Sequence, residues 1–443
     1  MDGNNASPSH EYGDLAREAS LPAFFAPGSV RIKILCCLIA ALPLFGEIFH
    51  YMSVIRPLWA FSKLFPALSL PLLLRLAYHE RFPMMRQVLL SFAWLVMMPS
   101  IAAMFYFHEG FFTSVTAQVK LLPILYFFSF LALLLFLQPT LAEIARGFII
   151  LGAATAGILI VLWAVIPSSW YSGHYVIGTA PLFSADNRGH RIRMQMYFAI
   201  ITLFFCYRRA FLERRLDYLL GVAIIFVVTL MIVRTRAMII GCTGVMLINA
   251  FFWVRPLARV LLLVCAPFML VAMFSTGYLA STFNTSASSG FDIRYITAQK
   301  ASNFLGDHPV RWIFGVGTLS PTSKDTLIGY FHHFFFLADI TWLGIVFEYG
   351  LIGALIFTLF EFRGILFYYR LRQRVEDDFL GALNDYLIYV LLISFFYPPT
   401  LTPGETATIL AIFAYVWRAG GFDGGVSPNQ TRLATNVAAP AGA

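Results

Sequence analysis

Val233-Arg234-Thr235-Arg236-Ala237 joins two apolar runs with almost no loop, and it sets two guanidinium groups within three residues. An arginine at mid-membrane costs about 2.5–3.5 kcal/mol on insertion scales, and less near the interface. Two so close together also repel each other. A pyrophosphate held between them relieves both costs, because the planar guanidinium fork matches phosphate oxygens. One arginine alone would read as a side chain snorkelling to lipid headgroups. A pair reads as an anion site. A second cluster, Asp186-Asn187-Arg188-Gly189-His190-Arg191-Ile192-Arg193-Met194-Gln195, ends a polar segment and opens an apolar run. Arg191 and Arg193 are expected near a helix N-terminus, where exposed N–H groups favour anions. Residues two apart on a helix face different ways, so one of the two would face the site. The competing reading is a solvated interfacial charge cluster.

Proton chemistry points to a third region. A long polar segment carries Phe291-Asp292-Ile293-Arg294-Tyr295, then Phe314-Gly315-Val316-Gly317, His332-His333-Phe334 and Ala338-Asp339. It runs into Phe347-Glu348-Tyr349-Gly350-Leu351-Ile352-Gly353. Histidine accepts a proton near neutral pH, which suits a general base. Consecutive residues point apart, so either His332 or His333 would face the site while the other orders an aromatic loop. Asp339 reads first as a cap of the following helix. Glu348 stands inside an apolar run, where an ionisable group is a site candidate. Pairing with a buried arginine, or protonation, would also account for it.

The elements that position these residues follow from composition. Hydrophobic residues make up 59% of the 443-residue chain and charged residues 12%, about half the charge of a soluble domain. Stretches of about 20 apolar residues recur. The expected fold is an all-α polytopic membrane protein with about twelve spans, near 33–51, 57–77, 87–107, 118–137, 147–167, 192–207, 217–233, 237–254, 259–277, 339–361, 379–397 and 403–418. Residues 1–30 read as a polar cytoplasmic tail with no cleaved leader. Residues 31–418 form the membrane domain, with one large outer loop, 278–338, between the ninth and tenth spans. In that loop, 293–304 reads as an amphipathic helix. Residues 419–443 read as a disordered tail. No internal repeat of the inverted-transporter kind is visible.

Most of the 31 basic residues lie in loops on the side of the termini, including Arg86, Arg146, Arg208, Arg209, Arg214, Arg215, Arg370, Arg372 and Arg374. That side is therefore expected to be cytoplasmic. The net charge of +8 belongs to membrane flanks and implies no nucleic-acid partner. The five cysteines, Cys36, Cys37, Cys206, Cys242 and Cys265, show no disulfide or metal spacing and read as small apolar fillers.

The order Thr235-Arg236-Ala237, a loop arginine at Arg294, Phe-Gly-Val-Gly, a loop histidine, then Glu-Tyr-Gly-Leu-Ile-Gly resembles the O-antigen ligase and polysaccharide polymerase superfamily of bacterial inner-membrane proteins. The resemblance covers roughly residues 185–360 through short, degenerate motifs. It implies a glycosyltransferase acting on glycans carried by undecaprenyl pyrophosphate, with donor, acceptor and membrane lipids as partners and a chain-length regulator as a further one. In the family pattern Arg236 and Arg294 bind the pyrophosphate, and His332 or His333 is the catalytic histidine. Phe334 departs from the His-Asn of ligases. Asp339 at the mouth of the glycine-bearing span looks more like the polymerase type. No cofactor or metal is expected, because arginines can replace Mg²⁺ and no carboxylates cluster in the sequence. The reading is a polymerase of O-antigen or exopolysaccharide repeats in the bacterial inner membrane. The alternatives are a ligase moving glycan to lipid A core, a transporter or flippase of lipid-linked sugars, and a structural subunit. Spans three to five hold almost no charge, which counts against ion-coupled transport.

Overall fold

The computed structural model describes residues 30–51, 57, 61, 65, 82–172, 181–186, 189–253, 259, 289–320, 323, 326–332, 335–398 and 403–422. The expected spans 57–77 and 259–277 lie almost wholly outside these residues, as do the tail 1–29 and residues 423–443. The described helices are α1 (Ile32–Phe45), α2 (Met85–Phe107), α3 (Phe111–Ala117), α4 (Tyr126–Leu137) and α5 (Leu141–Val165). A 3-10 segment, Gln118–Leu125, connects α3 to α4. A two-stranded antiparallel hairpin follows, β1 (Phe183–Asp186) with β2 (Gly189–Ile192). Then come α6 (Tyr197–Glu213), α7 (Leu216–Val228), one π-helical turn (Thr229–Val233) and α8 (Arg236–Trp253). The last elements are α9 (Ser289–Leu305), α10 (Pro309–Phe314), α11 (Leu327–Phe331), α12 (Thr341–Arg372), α13 (Asp378–Ile393) and α14 (Pro403–Ala419).

Six helices among the described residues are long and apolar enough to cross a membrane by length and composition: Met85–Phe107, Phe111–Leu137, Leu141–Val165, Leu216–Val233, Arg236–Trp253 and Leu337–Arg372. The other apolar helices are shorter. α1, α6, α13 and α14 have 14, 17, 16 and 17 residues, about 21–26 Å at 1.5 Å per residue, less than the ~30 Å hydrocarbon core. Most of these short helices are central. Every residue of α14 from Pro403 to Val416 is buried, and so is α6 from Tyr197 to Cys206. A helix that is apolar all round belongs inside a bundle. The long helices α2, α5 and α7 expose bulky apolar side chains such as Leu90, Trp163 and Leu220 instead.

The two ends of the bundle differ. At the basic end, Thr140 and Glu143 form a reciprocal capping box that starts α5. Arg31 grips the same carboxylate at 2.8 Å and also reaches the Gln138 carbonyl, which ties α1 to α5. Tyr415 of α14 donates to the Pro139 carbonyl, and Arg209 pairs with Asp378. Arg208 binds Asp385 through both nitrogens of its fork, at 2.5 and 2.8 Å, beneath Trp253. At this end Phe422, just past α14, packs on the Trp417 ring. Cys36 and Cys37 are exposed on α1, so they fill no core; Cys206 and Cys242 are buried, and Cys265 lies outside the described residues. At the opposite, hairpin end lie the β-strands, the π turn and the 289–340 segment, which packs through the rings of Phe304, Tyr330, Phe331 and Phe335 onto Phe107 and Phe347.

α12 is broken. Gly350 has φ 71° and ψ 179°, so the helix opens there. The opening frees the Phe347 and Glu348 carbonyls, which accept from Val316 N at 2.8 Å and Gly317 N at 3.1 Å. The Phe-Gly-Val-Gly segment thus lies along the break, and Gly315 meets Gly350 backbone to backbone. Irregular backbone at such depth is tolerable only when protein satisfies it. Glu348 itself pairs with Lys120 at 2.7 Å and accepts from Gln118 at 3.0 Å, while Tyr349 donates to Gln118. Its partner is therefore a lysine rather than an arginine. Of the third to fifth expected spans, 118–137 carries Lys120, whose charge Glu348 pairs.

Candidate functional site

Arg191 and Arg193 are not at a helix N-terminus. β2 ends at Ile192 and α6 begins only at Tyr197. In extended backbone residues two apart share a face. Both side chains accordingly turn to one acceptor: each Nε donates to Ser184 Oγ across the hairpin, at 3.1 and 3.2 Å. Ser184 and Arg191 are buried. Two guanidinium forks thus converge on one hydroxyl, and such forks match the oxygens of an anion. The hairpin is braced from behind. Ser172 hydrogen-bonds with Phe183 and Ala185, and Tyr171 stacks on His190 with centroids 4.5 Å apart. Burial pushes the Tyr171 phenol up in pKa, so it stays neutral there.

The RTR turn comes to this same hairpin. The π turn packs against β2. It ends at Arg234 in the left-handed region, φ 54°, an unfavourable setting for a side chain of this size. Arg234 Nε donates back to the Met231 carbonyl at 2.8 Å, and its Nη1 lies over Gly189, 2.5 Å from where a Cβ would stand. Gly189, at φ 87°, leaves room for that approach. Arg236 is half-buried at the first residue of α8. An apolar groove of about 550 Å³ runs down from Arg234 between α5 and α7, lined by Ile160, Trp163, Val227 and Met231 among others. Arg234, at one end of this groove, thus rests on the same hairpin that carries Arg191 and Arg193.

Beneath them lies a polar network that sequence reasoning missed. Gln195, two residues beyond Arg193, donates to Glu405 at the start of α14. Tyr386 donates to the other carboxylate oxygen at 2.5 Å, and Tyr197 to the Glu405 carbonyl at 3.4 Å. Thr406 donates to the buried Glu361 at 2.8 Å. Glu405 opens an apolar run and sits where a helix N-terminus favours an anion, which was the available signal.

The remaining predicted residues form a second group. Arg294 is exposed on α9 and lies near enough to Asp339 to act on it electrostatically. Asp339 does not cap α12, correcting that expectation. The N-cap position is Ile340, no side chain caps the helix, and Asp339 sits half-buried in the preceding 3-10 turn. The helix starts two residues after it, beyond reach of a capping geometry. His332 is exposed, in left-handed backbone at the end of α11, over the aromatic cluster of Phe331. Its side chain makes no hydrogen bond among the described residues. His333 lies outside them. The groups are linked through α13: Gly241 of α8 packs on Ile393, and the next residue, Ser394, accepts from Trp342 at 3.3 Å, three residues past Asp339. Among the described residues no three His, Cys, Asp or Glu side chains could hold a metal ion. No protein-family model matches this chain, and no curated protein matches it.

Proposed function

We propose that the chain is a twelve-span polymerase of the bacterial inner membrane, with both termini cytoplasmic and residues 278–338 periplasmic. It joins oligosaccharide repeats carried on undecaprenyl pyrophosphate. The acceptor hydroxyl oxygen bonds to the donor's anomeric carbon. The glycosyl C–O bond breaks, its electron pair leaves on the lipid pyrophosphate, and the carbon is inverted. His332 or His333 takes the hydroxyl proton, with Asp339 the next candidate. Arg236 and Arg294 bind the pyrophosphate together with Arg234, Arg191 and Arg193. The observation that carries this reading is one hairpin that holds Arg191 and Arg193 on a single hydroxyl and is touched by Arg234, which lines an apolar groove. A molecule with a polyanionic head and a long apolar tail matches both halves at once. Forked donors suit the leaving phosphates.

Ligation to lipid A core uses the same chemistry with another acceptor. A flippase of lipid-linked sugars has its own support in two observations: the broken helix at Gly350, and the buried carboxylates Glu348, Glu361 and Glu405. Transporter sites use such breaks and such groups.

The lipid-linked intermediates of a deletion strain separate the three. Single repeats accumulating at the outer leaflet mean a polymerase. Long lipid-linked polymer means a ligase, and repeats trapped at the inner leaflet mean a flippase. In the same assay, alanine at one of His332 and His333 is expected to cut polymer by ~10²–10⁴, the range of general-base assistance. Alanine at the other is expected to be mild. Substantial polymer in both variants would remove histidine from the mechanism. Sidedness is checked separately: cysteine placed at the exposed Asp307 is expected to react with an impermeant thiol reagent without opening the inner membrane. Reaction only after opening it would invert the topology.

A further inference from the structure

A second groove lies at the other end of the bundle. It has a volume of about 850 Å³ and runs between the start of α2 and the last turns of α12. Its walls are apolar, with Leu90, Leu366 and Phe367 among them, and its mouth carries Arg86, Arg363 and Arg370. No carboxylate lines it. That sets it apart from much of the surrounding end, where Arg31, Arg208, Arg209, Arg215 and Arg372 are each paired with a carboxylate. Among the described residues no carboxylate pairs with Arg86, Arg363 or Arg370.

The mouth is also held in shape. Arg363 Nη1 donates to Gln87 Oε1 at 3.0 Å, and Gln87 reaches back to the Leu359 carbonyl at 3.4 Å. One glutamine thereby fixes the spacing of the two helices and the direction of a guanidinium.

We propose that this groove binds an anionic glycerophospholipid of the leaflet at the basic end. The phosphate sits among Arg86, Arg363 and Arg370, and the acyl chains lie along the apolar wall. Charge selects the ligand: three cations with no carboxylate partner among the described residues, set over apolar surface, fit a lipid with a net negative head, and a zwitterionic head would bring its own cation into their field. Basic pockets between helices on the cytoplasmic side recognise anionic headgroups in this way. The site is separate from the hairpin arginines and does not depend on the glycan chemistry.

The test is native mass spectrometry of the full chain in neutral detergent, titrated with phosphatidylglycerol, phosphatidylcholine and water-soluble glycerol phosphate. Phosphatidylglycerol is expected to bind and survive detergent exchange, ahead of the other two. Each arginine near an anionic lipid contributes a factor of about five, so Arg86→Gln, Arg363→Gln and Arg370→Gln together should weaken it on the order of a hundredfold. Phosphatidylcholine binding should not change. Arg370→Gln alone, at an exposed position, should lose about fivefold and guards against misfolding of the triple variant. Arg214→Gln with Arg215→Gln, at the same end but outside the groove, should change nothing. Equal binding of phosphatidylglycerol by the wild type and the triple variant would overturn the proposal. So would equal affinity for the two lipids, or displacement by glycerol phosphate, which would mark a free-phosphate site.

Discussion

Alanine at Gly350 is expected to abolish the accumulation of folded protein. The residue occupies a backbone region that is essentially restricted to glycine, φ 71° with ψ 179°. An added Cβ would stand 2.2 Å from the Ile313 carbonyl oxygen, and neither backbone can yield without the other. Relaxing toward a regular helix would expel Gly315–Gly317 and lose the hydrogen bonds from Val316 and Gly317. Strain of 1–3 kcal/mol and two bonds of about 1 kcal/mol each sum to roughly 3–5 kcal/mol, a large share of the stability of any domain. Gly315→Ala should behave the same way, because its φ is 77° and its Cβ would lie 2.5 Å from Gly350 N. Gly157→Ala supplies the contrast. Nothing lies within 4 Å of its added carbon, and a helical glycine replaced by alanine gains about 0.5–1 kcal/mol. Size-exclusion profiles and melting in detergent report all three. A Gly350→Ala protein that melts with the wild type would mean that the break in α12 is not built as described.

The second large effect concerns activity without loss of fold. Arg236→Ala and Arg234→Ala are expected to lower polymer by at least about a hundredfold, the typical loss when one donor to developing anionic charge is removed. Lysine at either position should rescue little. It restores the charge as a point and not the fork. Protein level should stay near normal, since both side chains lie at the rim of the bundle, half-buried. Arg208→Ala should show the reverse pattern. Its partner Asp385 is fully buried, and stranding that carboxylate costs about 3–5 kcal/mol, so protein should disappear before activity per molecule can be judged. Wild-type polymer in Arg236→Ala at normal expression would end the pyrophosphate assignment.

The sequence alone determined what is local. Runs of some twenty apolar residues specify helices, because a bilayer leaves backbone polar groups no other partner. They were legible over Met85–Phe107 and Arg236–Trp253 almost to the residue. The amphipathic stretch 293–304 was legible within α9. The arginines of both clusters stood out as charge against an apolar background. Tertiary structure decided what is distant. Residues 183–192 are too few and too polar to show a period, so the hairpin was read as a loop running straight into a helix, and the shared face of Arg191 and Arg193 was lost with it. The break at Gly350 has helical pattern on both sides, and only the backbone of Gly315, far back in the chain, gives it a reason. Lys120 and Glu348 are 228 residues apart, and a charge in an apolar run does not name its partner. Arg234 meets Gly189, and Arg363 meets Gln87, for the same physical reason: a helix fixes neighbours three and four residues away, while packing chooses all the others.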